Sequence, residues 1–339
     1  MRTAIYGAGA MGTVLGAYIS KAGYKIDLIN RNIDHVEGLK QNGAQIVGKI
    51  NFTQKVTAIL PEEMTKKYDI VLLMTKQLNN KGIVRSLLPY LEKDGVICTM
   101  QNGLPEFSVS EIIGEDRTFG CAMSWGATLI GNGISELTSE PTKDSLTFSI
   151  GKFGNNDCIK FNYVVTLLNT MGKVTIEHNF IGARWAKLLV NAAFSGMSVV
   201  TGANFGEIAK NKKSRKLAQM VMKECIDVCK QGNIKIEPIQ GKDIVKLMDY
   251  NNAIKRWISF MLIPIAMRKH KLIKSSMLRD LEKKRNCEIE AINGVVCKYG
   301  DKVKIDTPVN DRIVKLTQDI ENKKFLPSWK NIVLFEDLL

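Results

Sequence analysis

The chain has 339 residues, enough for two domains that each bury a core of their own. Its composition, 45% hydrophobic and 24% charged with no low-complexity tract, is that of a folded globular protein, and no apolar run approaches the ~20 residues that cross a bilayer. The formal charge of +14 would suit nucleic acid, but no aromatic residues interleave with the basic clusters at Lys210–Lys216 and Lys283–Arg285 as a base-stacking platform needs. The excess therefore reads as a solvated surface whose field favours anionic small molecules, and neither nucleic acid nor a membrane is an expected partner.

In chain order, Arg2–Tyr6 reads as a short apolar strand, followed by Gly7-Ala8-Gly9-Ala10-Met11-Gly12 and a helix from Ala10 to Ala22 that stops at Gly23. The N-terminus thus enters a strand and a glycine loop and does not read as a signal peptide. A second strand, Lys25–Ile29, ends at Asn30-Arg31 and completes a βαβ unit with a parallel sheet. Between Gly43 and Ile59 an alternating pattern predicts a small hairpin. Ile70–Met74 and Val96–Met100 are unbroken apolar runs, as in strands of a sheet covered on both faces. Phe119–Leu129 and Leu146–Ile150 are predicted strands around a turn at Gly131-Asn132-Gly133.

From Asn179 onward the period becomes helical: Ile181–Val200, Ser214–Gln231, Gly241–Tyr250, Ile254–Lys269, Glu288–Tyr299 and Val309–Asn322, the last opened by Thr307-Pro308. Seven scattered cysteines with no CxxC pair, and three histidines, argue against a disulfide framework or a zinc site, so no metal is expected and the expected compartment is the cytoplasm. Cys225 and Cys229 stand one helical turn apart and read as small core residues.

The glycine loop is the first chemical signal. In Gly7-x-Gly9-x-x-Gly12 the first glycine permits a tight turn, the second lets a pyrophosphate approach the backbone, and the third packs helix on strand. The N–H groups at the helix start then meet phosphate. Gly7, Ala8, Gly9, Ala10, Met11 and Gly12 are accordingly the expected cofactor-binding residues. The fold class that follows is α/β: an N-terminal Rossmann-type doubly wound parallel sheet over 1–178, binding a dinucleotide, and an all-helical substrate and catalytic domain over 179–339. Where an NAD site has an acid at the end of the second strand, this chain has Asn30-Arg31, which leaves no carboxylate to repel a 2′-phosphate and offers a guanidinium to bind it. NADPH is the expected cofactor. Asp27 lies mid-strand and reads as a local partner.

A ketone that accepts hydride develops an alkoxide, which needs a proton donor. The three histidines, His35 near the second strand, His178 at the domain junction and His270 beside Arg268 and Lys269, have ordinary structural explanations. Lys187, Asn191 and Ser195 share one face of a predicted helix whose other faces carry Leu188, Leu189 and Ala192. On periodicity alone, Lys187 is equally a proton donor or a snorkelling lysine at the helix start.

These residues carry a resemblance. The chain resembles the ketopantoate reductase (2-dehydropantoate 2-reductase) family over nearly its whole length, through the Gly7–Gly12 loop, Thr75-Lys76, Gln101-Asn102-Gly103 and Trp185–Asn191. Ser275–Asp280, Glu288–Gly294 and Thr307-Pro308-Val309-Asn310 continue the match. The resemblance implies NADPH-dependent reduction of a 2-oxo acid, with ketopantoate as substrate, in the route to pantothenate and coenzyme A. It implies Lys187 as general acid, Asn191 on the substrate's hydroxyl or carbonyl, Ser276 on its carboxylate, and Glu288 against Lys187 or the ribose. Lys76 and Asn102 would contact cofactor and substrate. Each also has a plain alternative: Ser276 as a helix cap, Glu288 as a first-turn acid after a capping Asn286, Lys76 as a strand end, Asn102-Gly103 as any turn. Where some members have Asn-Gly-Glu this chain has Phe205-Gly206-Glu207, with Asn204 displaced by one, so the far end of the substrate stays open. Other 2-oxo acid reductases or a D-2-hydroxyacid dehydrogenase on the same scaffold, and a non-catalytic NADPH-sensing regulator, are the alternatives. The C-terminal helices could serve a homodimer or simply pack on one another.

Overall fold

A computed structural model describes residues 1–155, 158–239 and 241–339. The chain divides into two compact units, Met1–Gln101 with Pro105–Phe180, and Asn102–Leu104 with Ile181–Leu339.

The first unit is built on an eight-stranded sheet. Its strands are β1 (Thr3–Tyr6), β2 (Ile26–Ile29), β5 (Thr57–Ile59), β6 (Tyr68–Leu73), β7 (Leu91–Thr99), β8 (Thr118–Met123), β11 (Thr147–Lys152) and β12 (Lys173–Ile176). A four-stranded sheet takes β3 (Ala44–Gly48), β4 (Phe52–Gln54), β9 (Ala127–Gly131) and β10 (Ile134–Leu137). The larger sheet runs β12-β11-β8-β7-β6-β1-β2-β5 and the smaller β4-β3-β10-β9. From β8 to β5 every neighbouring pair in the larger sheet is parallel, and β11 returns antiparallel to β8. That parallel run is the doubly wound order, with the strand order reversing beside β1. Helices α1 (Ala10–Lys21), α2 (Ile33–Asn42), α3 (Asn80–Leu87), α4 (Pro105–Ile113) and α5 (Ile159–Asn169) accompany the sheets.

The apolar run of β6 explains why this sheet is covered twice. Ile70 and Leu72 point into a core with Val14, Leu15, Leu28 and Phe119, while Val71 and Leu73 point into another with Val84, Ile97 and Val109. Cys98 and Cys121 are buried in the first of these cores. Two sequence expectations are corrected. Phe119–Leu129 is not one strand: it breaks after Met123, and β8 and β9 belong to different sheets. Gly43–Ile59 is not only a hairpin: β3 and β4 pair antiparallel, but β5 leaves them and lies parallel to β2. Alternation reports which face a residue takes, and says nothing of which sheet a strand joins.

The second unit is helical: α6 (Phe180–Thr201, begun one residue earlier), α7 (Phe205–Lys210), α8 (Lys212–Gln231), α9 (Ile244–Met248), α10 (Ala253–Ala266), α11 (Ser276–Glu282), α12 (Ile289–Val303) and α13 (Pro308–Glu321), with a 3₁₀ segment at Trp329–Leu338. The expected Gly241–Tyr250 helix shrinks to α9, whose first residue follows an N-cap at Asp243. The core here is made by stripes at helical spacing: Leu217, Val221, Cys225 and Val228 on α8, Ile292 and Val296 on α12, and Val309, Ile313 and Leu316 on α13. Cys229 and Cys287 are also buried, and all seven cysteines are free thiols. Among the described residues no helix is long and apolar enough to cross a membrane.

Candidate active site

The glycine loop connects β1 to α1. The N–H groups of Gly7 and Ala8 both donate to Ile29 O at 2.9 Å, tying the loop to the end of β2. Gly7 has φ +98, and a Cβ there would stand 2.5 Å from the Thr75 backbone nitrogen, so only glycine fits. At Gly12 a Cβ would come within 3.0 Å of Ile5 Cγ2, which is helix-on-strand packing. Gly9 differs: a Cβ there would meet only Gly7 O, at 4.0 Å. The space beside Gly9 is open, and the first-turn N–H groups of α1, with a glycine N-cap and no side-chain cap, have no intrahelical acceptor. Space and donors together suit a pyrophosphate.

At the end of β2, Asp27 accepts a hydrogen bond from Tyr68 Oη at 2.8 Å, which engages the nearest acid in the sheet. Asn30 Oδ1 accepts from Asn32 N–H at 2.9 Å, and Asn32 in turn caps α2. Arg31 is exposed and forms no ion pair among the described residues. The ends of β6 and β7 are joined by one side chain not singled out by its own chemistry in the sequence. Gln101, buried, accepts from Thr99 Oγ1 at 2.8 Å and donates through Nε2 to Thr75 O at 2.8 Å and to Asn80 Oδ1 at 2.9 Å. Asn80 Nδ2 donates onward to Ser108 Oγ at 2.8 Å. Gln101 therefore fixes the loop that carries Lys76, and Asn102 follows it directly at the turn made by Gly103 with φ +78.

In the second unit Lys187, Asn191 and Ser195 lie along one stripe of α6 and are half-buried, whereas Leu188, Leu189, Ala192 and Phe194 are fully buried. Ser276 is exposed at the first position of α11. The cap there is Ser275, whose Oγ accepts from Leu278 N–H at 3.0 Å, so the capping role considered for Ser276 belongs to its neighbour. Glu288, buried, is itself the N-cap residue of α12 and makes no side-chain cap, which displaces Asn286 from that role. The structure thus aligns Lys187 with Asn191 on one helix and puts Ser276 and Glu288 at the starts of two others.

A polar chain runs behind α6. Asn293 Nδ2 donates to Ala192 O at 3.1 Å and to Asn310 Oδ1 at 2.9 Å. Gly196 makes room for it, since a Cβ there would stand 2.9 Å from Asn293 Oδ1. Glu224 closes the chain by accepting from the N–H groups of Val309 and Asn310, at 2.9 and 3.0 Å, and from Asn310 Nδ2 at 2.7 Å. It caps α13 from another helix. Burial raises its carboxyl to about 7, against the pull of those three donors. Sequence reasoning gave these residues no role. Asn293 and Asn310 were visible as motif pieces, while Glu224 carried no signal. Phe205 is buried with its ring 5.5 Å from that of Phe194, and Asn204 is engaged in a capping box with Glu207. Among the described residues no cluster of three metal-ligating side chains occurs.

Comparison with known proteins assigns both halves. The description of ketopantoate reductase PanE/ApbA matches residues 3–151, and that of its C-terminal part matches 179–321. The chain belongs to the ketopantoate reductase family. As a family member it is an oxidoreductase acting on CH–OH donors. It is 27% identical to the 2-dehydropantoate 2-reductase of Archaeoglobus fulgidus over 95% of this chain and 98% of that one. It is likewise 27% identical to the enzyme of that name from Pyrococcus horikoshii, over 91% of this chain and 94% of that one. Among solved structures, D-mandelate dehydrogenase with NADH and anilino(oxo)acetate superposes with a TM-score of 0.81 at 22% identity, covering 95% of this chain and 99% of that one. The PanE/ApbA family ketopantoate reductase of Ralstonia eutropha JMP134 gives 0.80 at 22%, covering 96% and 99%. At that identity the structural likeness establishes the shared ketopantoate reductase fold.

Proposed function

We propose that the chain reduces the 2-oxo group of ketopantoate with NADPH, giving pantoate. What carries the reading is family membership across both halves, joined to the Lys187–Asn191 stripe on a helix whose other faces are core. The loop at Gly7–Gly12 holds the pyrophosphate against the start of α1, and Arg31 takes the 2′-phosphate where Asp27 is already engaged by Tyr68. Lys76 and Asn102, at the ends of successive strands, contact cofactor and substrate. When bound, NADPH supplies hydride to the 2-carbon. Lys187 Nζ donates a proton to the oxygen as negative charge develops there. Asn191 orients that oxygen, Ser276 holds the carboxylate, and Glu288 orients Lys187 or the ribose.

A second reading keeps the chemistry and changes the substrate. Where the family resemblance implies that the far end of the substrate is held, this chain has Phe205, buried beside Phe194, and an Asn204 engaged as a helix cap. This favours a 2-oxo acid with a bulkier apolar end, and D-mandelate dehydrogenase is a structural neighbour. Following NADPH oxidation by absorbance with ketopantoate, and with branched and aromatic 2-oxo acids, separates the two. Faster turnover of ketopantoate supports the first. A preference for an aromatic acid supports the second, and turnover of none of them overturns both.

A further inference from the structure

Three segments of the first unit meet on one imidazole. His35, on α2, is fully buried; its Nε2 lies 3.0 Å from Ala8 O and 3.1 Å from Thr13 Oγ1, and Gly133 N–H donates to its Nδ1 at 3.1 Å. The Gly133 donor decides the tautomer. Nδ1 must offer a lone pair, so the ring proton sits on Nε2 and is donated to the Ala8 carbonyl. Thr13 Oγ1 donates to the same carbonyl at 3.2 Å. Since Ala8 N–H is already held by Ile29 O, both polar groups of the residue between Gly7 and Gly9 are fixed.

The third segment is the turn between β9 and β10. It approaches α2 backbone to backbone: a Cβ on Gly38 would stand 2.6 Å from Asn132 O, and one on Gly133 would stand 2.9 Å from the Gly38 carbonyl carbon. His35 joins this turn to the glycine loop with a hydrogen bond at each end.

We propose that His35 is a positioning residue for the dinucleotide: neutral and protonated on Nε2, it clamps the glycine loop, the first turn of α1 and the β9–β10 turn into one cradle, and a second ring proton opens that clamp. The inference rests on the reading that the glycine loop holds NADPH. A proton on Nδ1 would face the Gly133 N–H donor to donor, so the protonated ring loses that bond and must enter a buried, uncharged surrounding. Burial accordingly pulls the imidazole below its usual 6.5, with the Ala8 bond opposing. The elements around it carry Asp34, Glu37 and Lys40 on α2, Tyr18 and Lys21 on α1, and Glu136 on β10, while β3, β5 and β9 carry no charge. None of these groups bonds the ring, and Lys40 is paired with Glu37 and Glu63.

Two half-replacements split the clamp. Gln reproduces a donor at the Nε2 position and Asn an acceptor at the Nδ1 position, and neither titrates. The experiment measures the NADPH Kd of the full chain and of His35→Gln and His35→Asn from pH about 8 to about 5, with Tm followed alongside. At pH about 8, His35→Gln, which lacks the acceptor for Gly133, and His35→Asn, which lacks the donor for Ala8, should each bind ~10-fold or more weaker than the unmodified chain, the weight of one buried hydrogen bond. Below pH 6.5 the unmodified chain should weaken ~10-fold more than His35→Gln. The titration of the 2′-phosphate is common to both and cancels in that ratio. Superimposable pH profiles for these two proteins, or unimpaired binding by His35→Asn, would overturn the proposal while leaving the cofactor reading intact. Failure of the unmodified chain to bind NADPH at pH about 8 would overturn the cofactor reading and the proposal with it. If His35→Asn does not fold, the pH ratio alone decides.

Discussion

The two units make polar sites in opposite ways. In the first, the groups proposed to meet the pyrophosphate belong to the backbone, set within six consecutive residues by glycine and by carbonyls that hold them in place. In the second the proposed groups are side chains on α6, α11 and α12, and a chain of Asn293 on α12, Asn310 on α13 and Glu224 on α8 ends on the α6 backbone at Ala192. Their buried titratable groups differ in sense too. His35 has a lowered pKa, so its folded form binds fewer protons than the unfolded one; its contribution is present above 6.5 and is lost as pH falls below that. Glu224 has a raised pKa, so its folded form keeps a proton that the unfolded chain has lost; stability declines as pH rises from 4.5 through about 7. A site made of backbone is robust to side-chain chemistry and fragile to added volume, and a site made of side chains is the reverse.

Five substitutions test that contrast. The largest effect is expected from Lys187→Ala, which should reduce turnover by ~100-fold or more with the NADPH Kd unchanged, measured by steady-state kinetics beside direct titration. Loss of cofactor affinity in that variant would mean that the helical unit also grips the dinucleotide. Next come two alanines in the glycine loop. Gly7→Ala forces a side chain into φ +98 and onto the backbone at Thr75, and should cost about 2–3 kcal/mol in urea unfolding. Gly9→Ala meets open space, so stability should hold within ~0.5 kcal/mol while NADPH binding weakens ~10-fold. Equal destabilisation by both would reduce the loop to a mere turn. Glu224→Gln places an amide among donors and should cost about 1–2 kcal/mol at acid pH, the gap closing as pH rises through about 7. A gap that widens instead would identify the ionised carboxylate as the stabilising form. The smallest effect is assigned to Arg31→Ala, an exposed charge, with a rise of ~3-fold in KM for NADPH and that for NADH unmoved.

The same contrast explains what could be read from residues alone. The glycine loop is contiguous, so its three glycines announce three steric demands in one short string. The Lys187–Asn191–Ser195 stripe obeys helical spacing and is equally local. Gln101, His35 and Glu224 act through partners far along the chain: Gln101 reaches Thr75, His35 reaches Gly133, Glu224 reaches Asn310. No periodicity predicts such meetings. His35 in particular looked ordinary, because burial of a histidine on an apolar helix face is usual and only its three partners give it meaning. The departure of β5 from its hairpin neighbours was hidden for the same reason, since pairing with β2 is a long-range choice.

The buried thiols have a practical consequence. Cys98 and Cys121 lie in the sheet core of the first unit, and Cys225, Cys229 and Cys287 in the second. Such sulfurs react with a labelling reagent only when the protein around them opens. Followed by mass spectrometry under native conditions, the modification of these two sets becomes a pair of clocks, each reporting how often its own unit unfolds. Cofactor added to the sample should slow the first clock by the free energy of its binding, and the rate of the second then measures how much of that stabilisation is shared.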